Sequence, residues 1–207
     1  MRFKINFLFK GGFQALKREG EAFCNFHTDI LASIIQGDCR LGKGCARMLF
    51  NMNLLITFAA SFLLWFMYAG LIILWLIDGR MKREQVLHAL AAGFVAWLAA
   101  EIIKQIFPSF RPFVTDGQTP LTLTIPGIND GSFPSGHTAA AFGLASSLWL
   151  HKRKTGWLYL FLALAVGAAR VLAHVHYPVD ILGGALLGIL TAFALDKLHL
   201  NKLITNH

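Results

Sequence analysis

Hydrophobic positions in this chain form long unbroken runs, not the alternating stripes of a soluble core. Residues 54–77 are 24 positions without a formal charge. A helix rising 1.5 Å per residue needs ~20 residues to cross a hydrocarbon layer of about 30 Å, so this run is long enough to span it. Residues 86–100 are apolar except for His88, and the pattern continues helically through Glu101 and Ile103. Three more runs follow, at 138–150, 157–169 and 181–195, each 13 to 15 residues long. Any one of these reads equally as a buried helix of a soluble protein. Five in series, joined by short polar turns, predict an all-α integral membrane helical bundle. Each short run reaches spanning length if its helix takes in flanking polar residues, which sets those side chains at the membrane edge.

Charge fixes the orientation of the five spans. Arg80, Lys82 and Arg83, then Lys152, Arg153 and Lys154, then Lys197 and Lys202 all fall on one face. The opposite face holds Lys104, Arg111 and Arg170. The richer face is expected to be cytoplasmic, and Trp75, Trp149 and Trp157 lie near it as interfacial aromatics. The other face then looks to periplasm or exterior.

Residues 1–50 form a separate basic segment ahead of the transmembrane domain at 51–207. Ile5, Phe9, Phe13 and Leu16 recur at helical spacing with Lys4, Lys10 and Lys17 on other faces, the pattern of an in-plane amphipathic helix that binds anionic lipid. With five spans this segment lies outside, against the charge rule. A sixth span at 22–37, which contains His27 and Asp29, would return it to the cytoplasm. A cleavable signal peptide is not expected, because no charged start leads directly into an apolar core. Cys24, Cys39 and Cys45 are all in this segment. Cys39 and Cys45 bracket a glycine-containing stretch able to close a disulfide on the outside; the alternative is three inert thiols. Their spacing is not that of a zinc site.

Composition agrees with the runs. Hydrophobic residues make up 56% of the 207 positions and charged residues 14%, against about 25% charged in ordinary soluble domains. Disorder is excluded. The net charge of +8 would fit a nucleic-acid partner, but chains of apolar spans assign it to a membrane protein, and no nucleic acid is expected.

Polar residues that a bundle normally avoids cluster at three helix ends on the outward face. The first group runs from Lys104 to Arg111 and Pro112, with Pro108 expected to end the second span. The second runs from Ser132 to His137. The third runs from Arg170 through His174 and His176 to Asp180. Three cations against few carboxylates argue for an anion, not a metal, and arginine forks match phosphate oxygens. Pro134, Ser135 and Gly136 read as a helix start, whose free N–H groups cradle phosphate. His176 and Asp180, four apart, face the same way in helix-like geometry, so the carboxylate can hold one imidazole nitrogen while the other attacks phosphorus. His137 would protonate the leaving oxygen and then deprotonate water. Lys104, Arg111 and Arg170 would stabilise the transferring oxygens. No metal or cofactor is required.

These groups resemble the signature of the type-2 phosphatidic acid phosphatase superfamily of membrane lipid phosphatases: Lys-x6-Arg-Pro, Pro-Ser-Gly-His, and Ser-Arg-x5-His-x3-Asp. They stand here as Lys104 to Arg111-Pro112, Pro134-Ser135-Gly136-His137, and Ala169-Arg170 to His176 to Asp180. The resemblance implies a phosphohistidine on His176, acid–base work at His137, orientation of His176 by Asp180, and phosphate binding by Lys104, Arg111, Ser135, Gly136 and Arg170. Within the superfamily, Arg111-Pro112-Phe113-Val114, Ser132-Phe133-Pro134-Ser135 and His176-Tyr177-Pro178-Val179-Asp180 are similar to bacterial undecaprenyl-diphosphate phosphatases of the bacitracin-resistance type. This implies a phosphorylated lipid as partner, in the bacterial inner membrane, with phosphatidylglycerophosphate, phosphatidic acid or phosphorylated lipid A as other substrates. Two positions depart from the pattern. Ala169 replaces the usual serine and His174 a usual small residue; His174 reads as a second proton carrier or an interfacial spectator.

Other readings remain beside these. Glu101 is most simply the ion-pair partner of Lys104, and Gly183, Gly184 and Gly188 most simply permit close helix packing. His88, His151, His199 and His207 belong to no constellation. For the whole cluster the competing classes are interface anchoring by long cations, a silent lipid-phosphate binder, and a vanadium-dependent peroxidase. The last is disfavoured by the apolar runs.

Overall fold

The computed structural model describes residues 42–78, 83–107, 109–117, 119–123 and 131–205, with the backbone alone at 42–50, 78, 116 and 199–205. The expected N-terminal amphipathic helix, the alternative span at 22–37, Cys24, Cys39, Arg80, Lys82 and Pro108 lie outside the described residues. Among those described, every regular element is a helix: α1 Gly42–Asp78, α2 Arg83–Ile106, α3 Pro112–Asp116, α4 Gly136–His151, α5 Arg153–Leu172 and α6 Pro178–Thr205. α1 is continuous across residue 50, where the sequence divides the chain, and takes in Gly44 and Cys45.

Among the described residues, four helices are long and apolar enough to cross a membrane, over Asn51–Ile77, Arg83–Ile106, Arg153–Leu172 and Pro178–Leu198. α4, the third apolar run of the sequence, is 16 residues and so reaches only about 24 Å. It is nonetheless the axis of the bundle, packed against α2, α5 and α6. Its side chains explain this place. Thr138, Ala139, Ala140, Ala141, Gly143, Ala145, Ser146 and Ser147 are all buried, and residues this small let neighbouring backbones approach.

The neighbours mirror it. α2 turns Ala89, Ala92, Gly93, Ala96 and Ala100 inward, spaced three and four apart as one helix face, while Leu87, Phe94, Leu98 and Ile102 stay exposed on its other side. Small residues inside and large apolar ones outside is the arrangement of helices packed in lipid. α1 joins through larger side chains: Leu64, Met67 and Leu71 pack with Tyr159, Ala163 and Val166 in the main core cluster, and Tyr159 donates its hydroxyl to the Met67 carbonyl at 3.1 Å.

The α4–α6 crossing is a tight constraint. A Cβ at Gly184 would stand 2.6 Å from the Ser135 carbonyl oxygen, and one at Gly188 would strike the Ala139 carbonyl oxygen. Both obstacles are backbone, so neither can swing aside. This spacing of two glycines four apart holds the start of α4 beside the start of α6.

At the other end of the bundle His151 reaches Asp196 on α6 at 3.8 Å and meets the His88 ring of α2 edge-on at 5.7 Å. Histidines that belonged to no constellation in the sequence therefore meet across three helices, away from the phosphate-type cluster.

Gly188→Ala is expected to destabilise the detergent-solubilised protein by about 1–3 kcal/mol through overpacking, read as a lowered midpoint in a thermal unfolding scan. Leu186→Ala, on the exposed side between the two glycines, should leave the midpoint nearly unchanged. Equal behaviour of the two variants would contradict the close-packing role.

Candidate active site

The end of α2, the start of α4, the end of α5 and the start of α6 converge at one end of the bundle, and the three polar groups of the sequence meet there. Lys104 lies in the last turn of α2, Arg170 in the last turn of α5, and Asp180 in the first turn of α6. His176 occupies the turn between α5 and α6 and is 1% exposed.

That turn has a local cause. Pro178 is the first residue of α6, where its fixed φ and missing N–H cost nothing. Asp180 reaches back so that its Oδ2 accepts the Tyr177 N–H at 2.9 Å, the carboxylate half of a capping box. The expectation of helix-like geometry between His176 and Asp180 is corrected here: His176 precedes the helix, and the pair meets because the chain folds through Tyr177 into the helix start. His176 Nδ1 lies 3.4 Å from Asp180 Oδ2.

The other ring nitrogen fixes the tautomer. His176 Nε2 is 3.4 Å from Arg111 Nη1. A guanidinium only donates, so Nε2 presents its lone pair and the proton sits on Nδ1, towards Asp180. Burial pushes the His176 pKa down to about 4, opposed by the hydrogen bond with Asp180. The imidazole is neutral at ordinary pH.

Arg111 is 4% exposed. It is the residue before Pro112 and adopts the extended backbone, φ −84° and ψ 154°, which a following proline imposes. Its guanidinium donates to the carbonyls of Val175 at 3.3 Å and Gly131 at 3.4 Å. Arg170, 2% exposed, donates through Nη1 to the Ala60 carbonyl of α1 at 3.1 Å. Lys104 pairs with Glu101 at 2.6 Å, as their spacing predicts. A Cβ at Gly136 would stand 2.8 Å from Glu101 Oε1 and 3.4 Å from Lys104 Nζ, so glycine lets this pair approach the α4 start.

Ser135 is the N-cap of α4 and makes no side-chain cap bond. Its N–H goes to the Asp180 carbonyl at 3.0 Å, and its hydroxyl oxygen accepts from Thr138 at 3.0 Å. The hydroxyl proton of Ser135 and the first-turn N–H groups, which lack intrahelical acceptors, are the donors this helix start can offer an anion. His137, partly buried in that turn, lies within the fields of Arg170, Lys104 and Arg111 and of the His176 ring. All eight site residues expected from the sequence thus come to one end of the bundle. Among the described residues no group of three His, Cys, Asp or Glu side chains is placed to hold a metal ion.

Three contributors were not singled out in the sequence. Ser132 donates to Asp180 Oδ2 at 2.5 Å and lies 3.4 Å from His176 Nδ1. Ser109 accepts the N–H groups of Ser132 and Phe133 at 3.1 and 3.0 Å, tying the Arg111 segment to the approach to α4. The third is the Ala60 carbonyl that receives Arg170. Ser109 lies inside the Lys104–Arg111 group and Ser132 opens the second group, and that membership was the one available signal, with no role attached; a backbone carbonyl on a distant helix leaves none. The two departures also find a setting. Ala169 packs with Ala60, Ala173 and Val175 in an apolar cluster, and His174 has φ 58°, a left-handed conformation that favours glycine.

Comparison with known proteins shows the family. Residues 85–203 match the PAP2 superfamily. The chain is 36% identical over 148 residues to the bacitracin transport permease protein BcrC of Bacillus licheniformis, covering 68% of each chain. It is 34% identical to the undecaprenyl-diphosphatase BcrC of Bacillus subtilis, over 59% of this chain and 62% of that protein. Its fold is similar to the crystal structure of Aquifex aeolicus LpxE, with TM-score 0.57 and 26% identity over 72% of this chain and 86% of that one. It is also similar in fold, at TM-score 0.54 and 23% identity, to a transmembrane PAP2-type phosphatidylglycerolphosphate phosphatase from Bacillus subtilis, over 90% of this chain and 87% of that one. Buried cations around a neutral histidine, carried on a multi-pass helical bundle and matched over most of the motif region, place this chain in the PAP2 superfamily as a membrane phosphatase.

Proposed function

We propose that the protein removes the terminal phosphate of a lipid diphosphate, undecaprenyl diphosphate first among candidates, through a phosphohistidine on His176. The observation that carries this reading is the contact between Arg111 and the lone-pair nitrogen of a buried, neutral His176. An arginine that hydrogen-bonds oxygen anions stands beside the nitrogen that would face phosphorus, placed to turn to a phosphoryl oxygen bound there. The diphosphate enters from relatives named undecaprenyl-diphosphatase.

In the first step the Nε2 lone pair forms a bond to the terminal phosphorus as the bridging P–O bond breaks. His137 gives a proton to the departing oxygen. Nδ1 keeps its proton, so the phosphorylated ring carries positive charge beside Asp180. In the second step His137 takes a proton from water, the resulting oxygen attacks phosphorus, the N–P bond breaks, and inorganic phosphate leaves. Lys104, Arg111, Arg170, the Ser135 hydroxyl and the N–H groups at Gly136 stabilise the equatorial oxygens throughout, which is where phosphoryl transfer gains most of its acceleration.

The site opens on the extracytoplasmic face in this reading. Arg83, Lys152, Arg153 and Lys154 lie at the opposite end of the bundle, and the end richer in such residues stays in the cytoplasm. α4 then crosses as a short fifth span shielded from lipid by α2, α5 and α6. The protein resides in the bacterial inner membrane, where a lipid keeps its tail in the bilayer while its phosphate reaches the site from the edge.

Three measurements test this. Phosphate release in detergent with EDTA present should favour undecaprenyl diphosphate over phosphatidylglycerophosphate and phosphatidic acid, and His176→Ala should lower turnover by ~1000-fold or more, as loss of a catalytic nucleophile does. Preference for another lipid changes the substrate; substantial turnover in the variant removes the nucleophile. In 15N-histidine NMR, with His176→Ala assigning the resonance, His176 should keep its neutral Nδ1–H signature as pH falls through 6.5, because its pKa is lowered to about 4; titration near 6.5 would contradict the buried setting. A cysteine placed at Thr119, with native cysteines replaced, should react with an impermeant thiol reagent in intact cells. Protection there with labelling at Lys152 would invert the topology.

A further inference from the structure

Asp180 and His176 are closer in sequence than in hydrogen-bond geometry. Their 3.4 Å separation exceeds the usual N–H···O range of about 2.7–3.2 Å, so the carboxylate alone holds the imidazole loosely. A third group shares that space. Ser132 is fully buried, donates its hydroxyl to Asp180 Oδ2 at 2.5 Å, and stands 3.4 Å from His176 Nδ1.

We propose that Ser132 is a positioning residue for phosphoryl transfer, its hydroxyl joining the Asp180 carboxylate to the Nδ1–H of His176. The inference rests on the reading of His176 as nucleophile. Hydrogen-bond direction supports it. The carboxylate only accepts, so the Ser132 proton points to Asp180 and its lone pairs are left facing Nδ1–H. The imidazole proton is then divided between two oxygens at equal distance, and both lie on the side away from Arg111. This fixes the ring about its Cβ–Cγ axis and keeps the Nε2 lone pair on the Arg111 side.

The charge argument runs the same way. When Nε2 bonds phosphorus the ring becomes cationic and Nδ1–H becomes a stronger donor. Ser132 and Asp180 accept that donor together, with the carboxylate charge relayed through the hydroxyl, and no proton leaves Nδ1. Asp180 also holds the Tyr177 N–H, so without Ser132 one carboxylate would have to serve the helix start and the nucleophile alone. The position of Ser132 is set from outside the pair: its N–H donates to the Ser109 carbonyl at 3.0 Å and to Ser109 Oγ at 3.1 Å. The segment that carries Arg111 thereby sets the register of the group behind the nucleophile.

The test uses full-length protein in detergent and undecaprenyl diphosphate as substrate, with inorganic phosphate as the binding probe. Ser132→Ala should lower kcat ~10–100-fold, the range seen when an orienting partner of a functional histidine is removed. KM and the inhibition constant of inorganic phosphate should stay within about twofold, because the cations and the α4 start are untouched. Ser132→Thr, which restores the hydroxyl, should recover turnover. Adding Ser132→Ala to Asp180→Asn should cost less than about threefold more, since the two act as one unit. Ser132→Cys, close in volume and a weak donor, should resemble Ser132→Ala and serves if the alanine variant fails to fold.

Wild-type kcat in Ser132→Ala, multiplicative losses in the double variant, or a phosphate inhibition constant that worsens in step with kcat would each overturn the assignment. Loss of turnover in His176→Ala with wild-type turnover in Ser132→Ala overturns this inference alone. Turnover in His176→Ala overturns the reading beneath it.

Discussion

Two arginine side chains buried near each other govern the architecture of the site. Arg111 and Arg170 are 4% and 2% exposed and repel one another. Charge removed from water is costly unless hydrogen-bonded and balanced. Backbone carbonyls meet part of that demand: Val175 and Gly131 for Arg111, Ala60 for Arg170. Those carbonyls belong to the α5–α6 turn, the approach to α4, and the middle of α1. The cations therefore pin together segments far apart in the chain.

This convergence requires close helices. Ala, Gly and Ser on α4 and α2 bring the backbones together, and Gly184 and Gly188 carry the same economy to α6. In lipid no hydrophobic force drives helices together, so packing of small surfaces must do it. The consequence at the site is a helix start, Ser135 to His137, set between the ends of α2 and α6. A larger residue at Gly136 would meet Glu101 and push Lys104 away.

The α5–α6 turn shows the same sharing on a smaller scale. Asp180 caps its own helix through Tyr177, touches His176, and receives Ser132. One carboxylate serves both the helix start and the His176 ring, so the setting of that histidine is tied to how α6 begins. The left-handed backbone at His174 completes the turn. That conformation explains why a small residue suits the position and gives His174 a backbone reason to be distinctive.

Helical class, the apolar runs and the polar clusters were legible in the sequence because each rests on local quantities: run length against bilayer thickness, charge type, and motif spacing. Pro134 marked the start of α4 for the same reason, since proline acts on its own neighbours. What was not legible depends on distance between segments. The run at 138–150 read like the other two short runs, yet α4 is the buried axis. His176 and Asp180 were paired by a helical rule, whereas the chain brings them together through a turn. Ser132, Ser109 and the Ala60 carbonyl carry no pattern, because a hydroxyl or a carbonyl takes its partner from whatever packing sets beside it. The linear chain determined which groups are present and what they can bind. Only the packing of small-faced helices decided which of them touch, since hydrogen bonds and buried charges act over a few ångströms that sequence spacing does not measure.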